Sequence, residues 1–200
     1  MKNHYQTIIV GGGPVGVGLA IELGLRGISC LLVEPRKTLS KVPKGQNLTQ
    51  RTLEHFATWG LEKELRAARL MPTGYPIGEL TAYGDLMSDY WHAPAGREIV
   101  RPFYSQDNER LPQYRMEEVL RNKAATLPSV DTLFGWEAGR LSQDESQVRV
   151  ELRSVETDEQ ATVSCDYLVG CDGAHSTVRT QLGIERSKQD YEQNMLLAVF

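Results

Sequence analysis

Hydrophobic and polar positions at the start of the chain follow an order that predicts a strand, a helix and a second strand. Residues 7–10 form a short β-branched apolar run, which is typical of a buried parallel strand. A helix is predicted over residues 15–26, with Gly27 as its stop. Residues 29–33 predict another buried strand that ends in Glu34. This order favours an α/β fold with a parallel sheet.

Two later segments have the three- and four-residue hydrophobic spacing of amphipathic helices. The first is predicted over residues 48–60, ends at Gly60, and is followed by a short helix over residues 61–70. The buried face of the helix over residues 48–60 is predicted to consist of Leu48, Thr52, Phe56 and Trp59. The other helix is predicted over residues 115–126. Its inward face is predicted to consist of Met116, Val119, Leu120 and Ala124.

Strand patterns dominate the remainder of the chain. Residues 132–134, 139–141 and 148–155 are strand-like and separated by polar turns, which predicts an antiparallel meander inserted between parallel elements. Strict alternation over residues 147–153 indicates a strand that is exposed on one face. Residues 167–171 are apolar again and predict one more buried parallel strand.

Residues 71–101 are dense in proline, glycine and aromatic side chains, which predicts twisted strands and loops with a turn at residues 84–85. Aromatic residues in and after this segment either line a pocket or belong to an ordinary core, and the pattern leaves both interpretations open. They are Tyr83, Tyr90, Trp91, Phe103 and Tyr104.

Composition narrows the class of protein. A net charge of −4 and a pI near 5.6 over 200 residues give no electrostatic footprint for nucleic acid. The longest apolar runs are too short for a membrane span, and a strand beginning at residue 7 leaves no room for a targeting segment, so a cytoplasmic protein is expected. Cys30, Cys165 and Cys171 have no metal-ligand spacing, so no metal site is expected, and Cys30 and Cys171 are interpreted as small core residues.

The first candidate site is the glycine-rich turn after residues 7–10. Gly11 permits a tight turn, Gly13 permits close approach of a pyrophosphate, and Gly16 lets the following helix pack on the sheet. The free N–H groups and the positive dipole end of that helix would face the phosphates. Because strand, glycines and helix occur in the required order, the turn predicts a dinucleotide site.

Glu34 follows Gly11 by 23 residues, close to the spacing of an acid that accepts both hydroxyl groups of an adenosine ribose. An acid here would also repel the 2′-phosphate of NADP. The alternative is a solvated charge at a strand end. Arg36 either binds a phosphate or stacks on adenine, or is a solvated surface charge.

A second turn, Asp172-Gly173, follows the apolar residues 167–171 and precedes a helix that Ser176 would cap. Ligands of open α/β sheets bind at the carboxyl ends of the strands. Asp172 would accept hydrogen bonds there, and Gly173 would permit close approach of a ligand. An ordinary strand, turn and capped helix explains the same residues equally well.

Residues 167–179 resemble the second fingerprint of single-component flavoprotein aromatic hydroxylases, the para-hydroxybenzoate hydroxylase-like monooxygenases. The glycine turn with Glu34 resembles the FAD site of that family, and residues 44–54 resemble its next block. Residues 111–117 resemble the block whose glutamine contacts the flavin nucleotide. Four blocks in the family's order span nearly the whole chain, so the resemblance is specific for the family but not for a substrate.

This resemblance implies a Rossmann-like FAD-binding domain of the glutathione reductase type, with inserted antiparallel strands and the start of a substrate domain. Residues 1–73 and 102–183 would form the FAD-binding domain, and residues 74–101 and 184–200 part of the substrate domain. The implied cofactor-binding residues are Gly11, Gly13, Pro14, Val15, Gly16, Glu34, Pro35, Arg36, Lys44, Gln113, Asp172 and Gly173. Lys44 stands where the family usually has an arginine, which forms a bidentate contact that lysine lacks.

The implied activity is hydroxylation of a small aromatic substrate by O₂, with FAD as cofactor, NAD(P)H as co-substrate and a flavin C4a-hydroperoxide as oxygen donor. Epoxidases, halogenases and isoprenoid reductases of the same fold, and a non-catalytic nucleotide-binding module, are the alternatives. The substrate, the catalytic base, the choice of NADH or NADPH and the oligomeric state are left open. Relatives continue beyond the position of Phe200 with a third fingerprint, so the chain is expected to be an amino-terminal part that binds FAD poorly alone.

Overall fold

The computed structural model describes residues 1–42, 44–72, 79–82, 90–93 and 101–187. Ten strands occur in this part of the chain: β1 (His4–Val10), β2 (Cys30–Glu34), β3 (Asn47–Leu48), β4 (Glu79–Ala82), β5 (Tyr90–Ala93), β6 (Glu109–Arg110), β7 (Val130–Phe134), β8 (Trp136–Gln143), β9 (Val148–Ser154) and β10 (Gln160–Gly170). The α-helices are α1 (Pro14–Leu25), α2 (Gln50–Thr58), α3 (Glu62–Ala67), α4 (Gln113–Ala125) and α5 (Thr177–Gln181), and Arg101–Phe103 is a 3₁₀ helix.

A six-stranded sheet in the order β7-β2-β1-β10-β9-β8 is the centre of the fold. The neighbouring strands β7, β2, β1 and β10 are parallel to one another. Strand β9 is antiparallel to both of its neighbours, β10 and β8. In the register of the sheet, Val10 pairs with Val33 on one side and with Gly170 on the other. The carboxyl ends of β1, β2 and β10 therefore lie side by side, where the chain order reverses and ligands of such sheets bind.

The inner parallel strands β1 and β2 are largely buried on both faces, as expected for continuous apolar runs. One face packs against α1, α2 and α4, with Ile9 and Leu32 among its fully buried side chains. The other face, which includes Ile8 and Leu31, packs against side chains of β9 and β10 such as Val150. The antiparallel strands thus cover the side of the sheet opposite the helices. In the described part of the chain, no helix combines the length and apolar character needed to cross a membrane.

Most of the predicted elements are confirmed with small changes in their limits. Gly27 and Gly60 follow α1 and α2 with φ of +73° and +71°, the left-handed conformation that favours glycine at a helix end. The predicted inward face of α4 is buried or packed against the core. The predicted turn at residues 84–85 lies outside the described residues.

The prediction for residues 132–134 is wrong in its pairing. These residues belong to β7, which is hydrogen-bonded in parallel to β2 and is no part of the meander. The meander consists of β8, β9 and the first half of β10. A short apolar run does not encode which neighbour it pairs with, because parallel and antiparallel ladders accept the same residues.

Two further limits differ from the predictions. Leu48 lies in β3, and α2 begins only after the cap Thr49, whose side chain accepts a hydrogen bond from the Thr52 N–H. The predicted strand at residues 167–171 is the end of the longer β10, which stops at Gly170. It is not fully buried, since Tyr167 is 72% exposed. Apolarity alone therefore overstated the burial of this segment.

Candidate functional site

The two glycine turns predicted to serve one ligand are in direct contact. The Gly11 N–H donates to the Val33 carbonyl (2.8 Å), and the Cys171 N–H donates to the Val10 carbonyl (2.6 Å). Gly11 has φ of +110°, and a Cβ there would overlap the carbonyl oxygen of Cys171. Only glycine permits this conformation and this contact. The parallel pairing of β1 with β10 thus brings together turns more than 150 residues apart in sequence.

The remaining glycines of the first turn have different surroundings. A Cβ at Gly16 would overlap the Gly11 carbonyl oxygen and lie 3.2 Å from the Cys171 Cβ, so Gly16 is required for packing of α1 on both turns. A Cβ at Gly12 would lie 2.6 Å from the Cβ of Glu34. At Gly13, by contrast, a Cβ would meet nothing within 4 Å. Gly13 therefore leaves open space directly before α1.

The start of α1 is suited to an anion. Gly13 is its cap residue and Pro14 its first residue, and no side chain in the described part of the chain caps it. The first N–H groups of a helix lack internal partners and carry the positive end of the helix dipole. Because a Cβ at Gly13 would meet no protein atom within 4 Å, the space beside this cap residue is open, and this end of α1 can hold a phosphate there.

A cavity of about 490 Å³ lies at this edge of the sheet. It is lined by every predicted cofactor-binding residue except Gly16, which lies beneath the turn. The predicted residues brought together here are Gly11, Gly13, Pro14, Val15, Glu34, Pro35, Arg36, Lys44, Gln113, Asp172 and Gly173. The cavity therefore joins all four sequence blocks at one place.

Glu34 is a buried carboxylate at the end of β2, with 3% of the residue exposed. Its Oε2 accepts from the Gly12 N–H (2.7 Å), and its Oε1 accepts from the N–H (3.0 Å) and the Nε (2.8 Å) of Arg36. Burial alone would raise the pKa of Glu34, but the hydrogen bonds from Arg36 and Gly12 outweigh it and hold the pKa below its ordinary value. The alternative of a solvated charge at a strand end is therefore wrong.

The lowered pKa of Glu34 makes the stability of the apoprotein depend on pH. A group whose folded-state pKa is lowered contributes stability above its unfolded value, here 4.5, and that contribution is lost as the pH falls through the folded pKa. We expect Glu34→Gln to lower the unfolding free energy by about 1 kcal/mol at neutral pH. The difference from wild type should shrink below about pH 4, measured by urea unfolding across pH. A constant difference down to pH 3 would contradict this assignment.

The carboxylate of Asp172 is turned toward its own helix. It accepts from the Ser176 hydroxyl (2.5 Å) and from the N–H groups of Thr177 (2.7 Å) and Val178 (3.2 Å). Burial raises the pKa of Asp172, but these hydrogen bonds outweigh it and lower the pKa overall. The Ser176 hydroxyl in turn accepts from the Arg179 N–H (3.0 Å). The interpretation as a turn with a capped helix is thus correct for these side chains, although Asp172 and Gly173 also line the cavity.

Lys44 and Gln113 come together through a short antiparallel ladder. β3 pairs with β6, and the ladder continues through hydrogen bonds from the Leu111 N–H to the Gln46 carbonyl and from the Gln113 N–H to the Gly45 carbonyl, both 3.0 Å. Gln113 is the first residue of α4, and these backbone hydrogen bonds hold it beside Gly45, where it lines the cavity. Arg36 is held by its ion pair with Glu34, while more than half of its side chain stays exposed.

Several cavity residues were not predicted. Glu117 lies one helical turn after Gln113, and this i, i+4 spacing was a signal available in the sequence. Glu137 and Ala138 of β8 reach the cavity only because the meander folds over the sheet, which no local pattern indicates. His175, within the segment that resembles the second fingerprint, also lines the cavity.

Other candidate residues lie away from the cavity. Phe103 is 80% exposed and Tyr104 is also exposed, so neither belongs to the core. Tyr83 and the side chains of Tyr90 and Trp91 lie outside the described residues. Burial raises the pKa of the Cys30 and Cys165 thiols to about 11, which fits inert core residues. Cys171 is partly buried and its pKa is also raised, mainly by burial.

Comparison with known proteins identifies relatives of this arrangement. The model of the FAD binding domain family matches residues 4–200. The FAD-dependent monooxygenase apdD of Emericella nidulans is 31% identical over 91% of this chain and 31% of its own length. A 3-(3-hydroxy-phenyl)propionate/3-hydroxycinnamic acid hydroxylase of Burkholderia cenocepacia is also 31% identical, over 92% of this chain and 32% of its own. The chain thus spans about a third of the length of these relatives.

A solved structure supports the same relationship. The flavin-dependent monooxygenase PieE, in complex with FAD and substrate, superimposes with a TM-score of 0.80 at 28% identity. The match covers 90% of this chain and 32% of that protein. The resemblance to FAD-dependent aromatic hydroxylases, and the fold that it implied, are confirmed.

Proposed function

Because this chain belongs to the FAD binding domain family, we propose that it forms the cofactor-holding part of an aromatic hydroxylase. The proposed enzyme uses FAD, NAD(P)H and O₂ to hydroxylate a phenol-type ring. The observation that carries the proposal is the single cavity where the turns at Gly11–Gly13 and Asp172–Gly173 meet.

The chemistry of the cavity fits the pyrophosphate and the adenosine ribose of FAD. The pyrophosphate would lie beside Gly13, where a Cβ would otherwise stand, and would accept hydrogen bonds from the first N–H groups of α1. Glu34 would accept from the hydroxyl groups of the adenosine ribose, since its carboxylate has more acceptor sites than Gly12 and Arg36 occupy. Lys44 would contribute a positive charge near the phosphates, without the bidentate geometry of an arginine.

Bound FAD would supply the redox chemistry, namely reduction by NAD(P)H, activation of O₂ and transfer of one oxygen atom to the ring. The residues of this chain would bind and orient the cofactor. Gly173 has φ of +81° and open space around its missing side chain, so it would let the flavin side of the cofactor approach the backbone. In the proposed enzyme, residues 1–73 and 102–183 would form the FAD-binding domain, and residues 74–101 and 184–200 would form part of a substrate domain.

Spectroscopy and oxygen labelling of the full-length protein test this proposal. The purified protein is expected to show flavin absorbance, to release FAD on heating, and to oxidise NAD(P)H in amounts equal to hydroxylated product when given a matching phenol. Isotopically labelled O₂ should place its label in the new hydroxyl group. A protein that fails to bind added FAD would refute the cofactor assignment. Product formation that requires halide, or label from water, would refute hydroxylation.

A further inference from the structure

Glu117 is a buried carboxylate in the wall of the cavity for which the proposed function has no role. It lies on α4, one turn after Gln113, and 8% of the residue is exposed. Both side chains line the same cavity. Burial of an acid is costly unless its charge is compensated, so its position calls for an explanation.

The contact of Glu117 with Gln113 determines which way the Gln113 amide points. Gln113 Nε2 donates to Glu117 Oε1 at 2.5 Å. An ionised carboxylate only accepts hydrogen bonds, so the amide nitrogen must face Glu117 and the amide oxygen must face away. No donor from the described part of the chain reaches Gln113 Oε1, which lies near Gly45 at the cavity. The oxygen is thus available to a ligand.

Two arginines lie close enough to compensate the charge of Glu117. Arg36 and Arg121 both interact electrostatically with it. Arg121 is itself fixed, because its guanidinium lies 4.0 Å from the ring centroid of Phe134 and donates to the Lys37 carbonyl (3.0 Å). Glu117 is therefore a buried acceptor with positive charge near it rather than an exposed surface acid.

We propose that Glu117 is a positioning residue that orients Gln113 so that its Oε1 accepts a hydroxyl group of the nucleotide. The inference rests on the proposed FAD site and adds the kind of group that Gln113 meets. A phosphate is excluded as that group, because its oxygens accept hydrogen bonds at neutral pH and would face another acceptor. The adenosine ribose and the ribityl chain of FAD both carry suitable hydroxyl groups.

A double-mutant cycle on the full-length apoprotein tests the inference by FAD titration. We expect Glu117→Ala to raise the Kd for FAD about tenfold, which corresponds to about 1.4 kcal/mol. The same substitution in a Gln113→Ala background should change the Kd by less than about twofold, because the residue that it positions is gone. Glu118→Ala is the matched control, since Glu118 lies on the same helix, is half exposed and pairs with Arg115. Its Kd should equal that of wild type.

A second variant of Glu117 and a second ligand extend the test. Glu117→Gln retains an acceptor oxygen and should bind FAD more tightly than Glu117→Ala, and the cycle is run with this variant if Glu117→Ala does not fold. Titration with ADP, which has the ribose but no ribityl chain, separates the two hydroxyl sources. A loss of ADP affinity assigns the contact to the ribose, and a loss confined to FAD assigns it to the ribityl chain.

The outcomes also separate this inference from the proposed function. Wild-type protein that binds FAD, together with Glu117→Ala that binds equally well, would overturn the inference alone. Equal losses in both backgrounds would also overturn it, because Glu117 would then act without Gln113. Wild-type protein that binds no FAD would overturn both.

Discussion

Gly13→Val is expected to fold like the wild-type protein and to bind FAD about a hundredfold more weakly, a loss of about 2.7 kcal/mol. The backbone at Gly13 has φ of −74° and ψ of −178°, an extended conformation that valine adopts readily. A Cβ there would meet no protein atom within 4 Å, so the folded apoprotein can accept the side chain. The added methyl groups would fill the space beside the first N–H groups of α1, where the pyrophosphate is proposed to lie.

Two measurements on the same Gly13→Val preparation decide this prediction. Thermal unfolding of the apoprotein should differ from wild type by less than about 1 kcal/mol, the effect of a poorer helix cap. Titration with FAD should show the loss of affinity, and Gly13→Ala should show a smaller loss. Unchanged FAD binding would mean that the cofactor does not approach Gly13.

Gly16→Ala is expected to have the opposite profile, with a loss of about 3 kcal/mol of folding stability before any effect on binding is considered. Its Cβ would overlap the carbonyl oxygen of Gly11, which is backbone and cannot move aside without shifting the turn. The same Cβ would press on Cys171 at 3.2 Å. Because both turns and α1 meet at this point, the strain would spread to the contact between β1 and β10.

Gly18→Ala provides the matched control on the same helix. The nearest atom to its added Cβ is a ring carbon of Trp59 at 3.1 Å, and a side chain can shift by the few tenths of an ångström required. Replacing glycine inside a helix also favours folding by about 1 kcal/mol. We therefore expect a change within about 1 kcal/mol for Gly18→Ala in urea unfolding. Equal losses for the two variants would show that the contact of Gly16 with Gly11 is not what destabilises the protein.

The two glycine predictions explain why a single motif contains residues with different physical roles. Gly16 is required by the protein itself, because α1 packs on the turn through it. Gly13 is not required by any described contact, which is the pattern expected where a ligand approaches the backbone. The sequence motif already assigned Gly16 to helix packing and Gly13 to the approach of a pyrophosphate. Only the structure shows that a Cβ has no room at Gly16 and open space at Gly13.

Elements with a strong local signal were predictable. The order of β1, α1 and β2 follows from a β-branched apolar run, a glycine turn and a helix that ends in glycine, all of which act within a few residues. The pairing of β7 was not predictable, because its partner β2 is about a hundred residues away in sequence and both ladder types accept the same apolar side chains. Leu48 was misassigned for a similar reason, since its burial suits a strand and a helix equally.

Some features of the candidate site were likewise predictable from local sequence, and others were not. Glycine spacing and the acid at the end of β2 are local features, so Gly11, Gly13 and Glu34 could be named from the order of residues. The burial of Glu34 and its hydrogen bond from Gly12 arise from packing between separate segments. The Asp172 contacts with α5 and the Gln113–Glu117 contact are local in sequence, but residue order alone does not show which way these side chains turn. Local sequence sets the backbone conformations that each turn can adopt. The sheet register decides which turns meet, because hydrogen bonds between strands connect segments that have no contact along the chain.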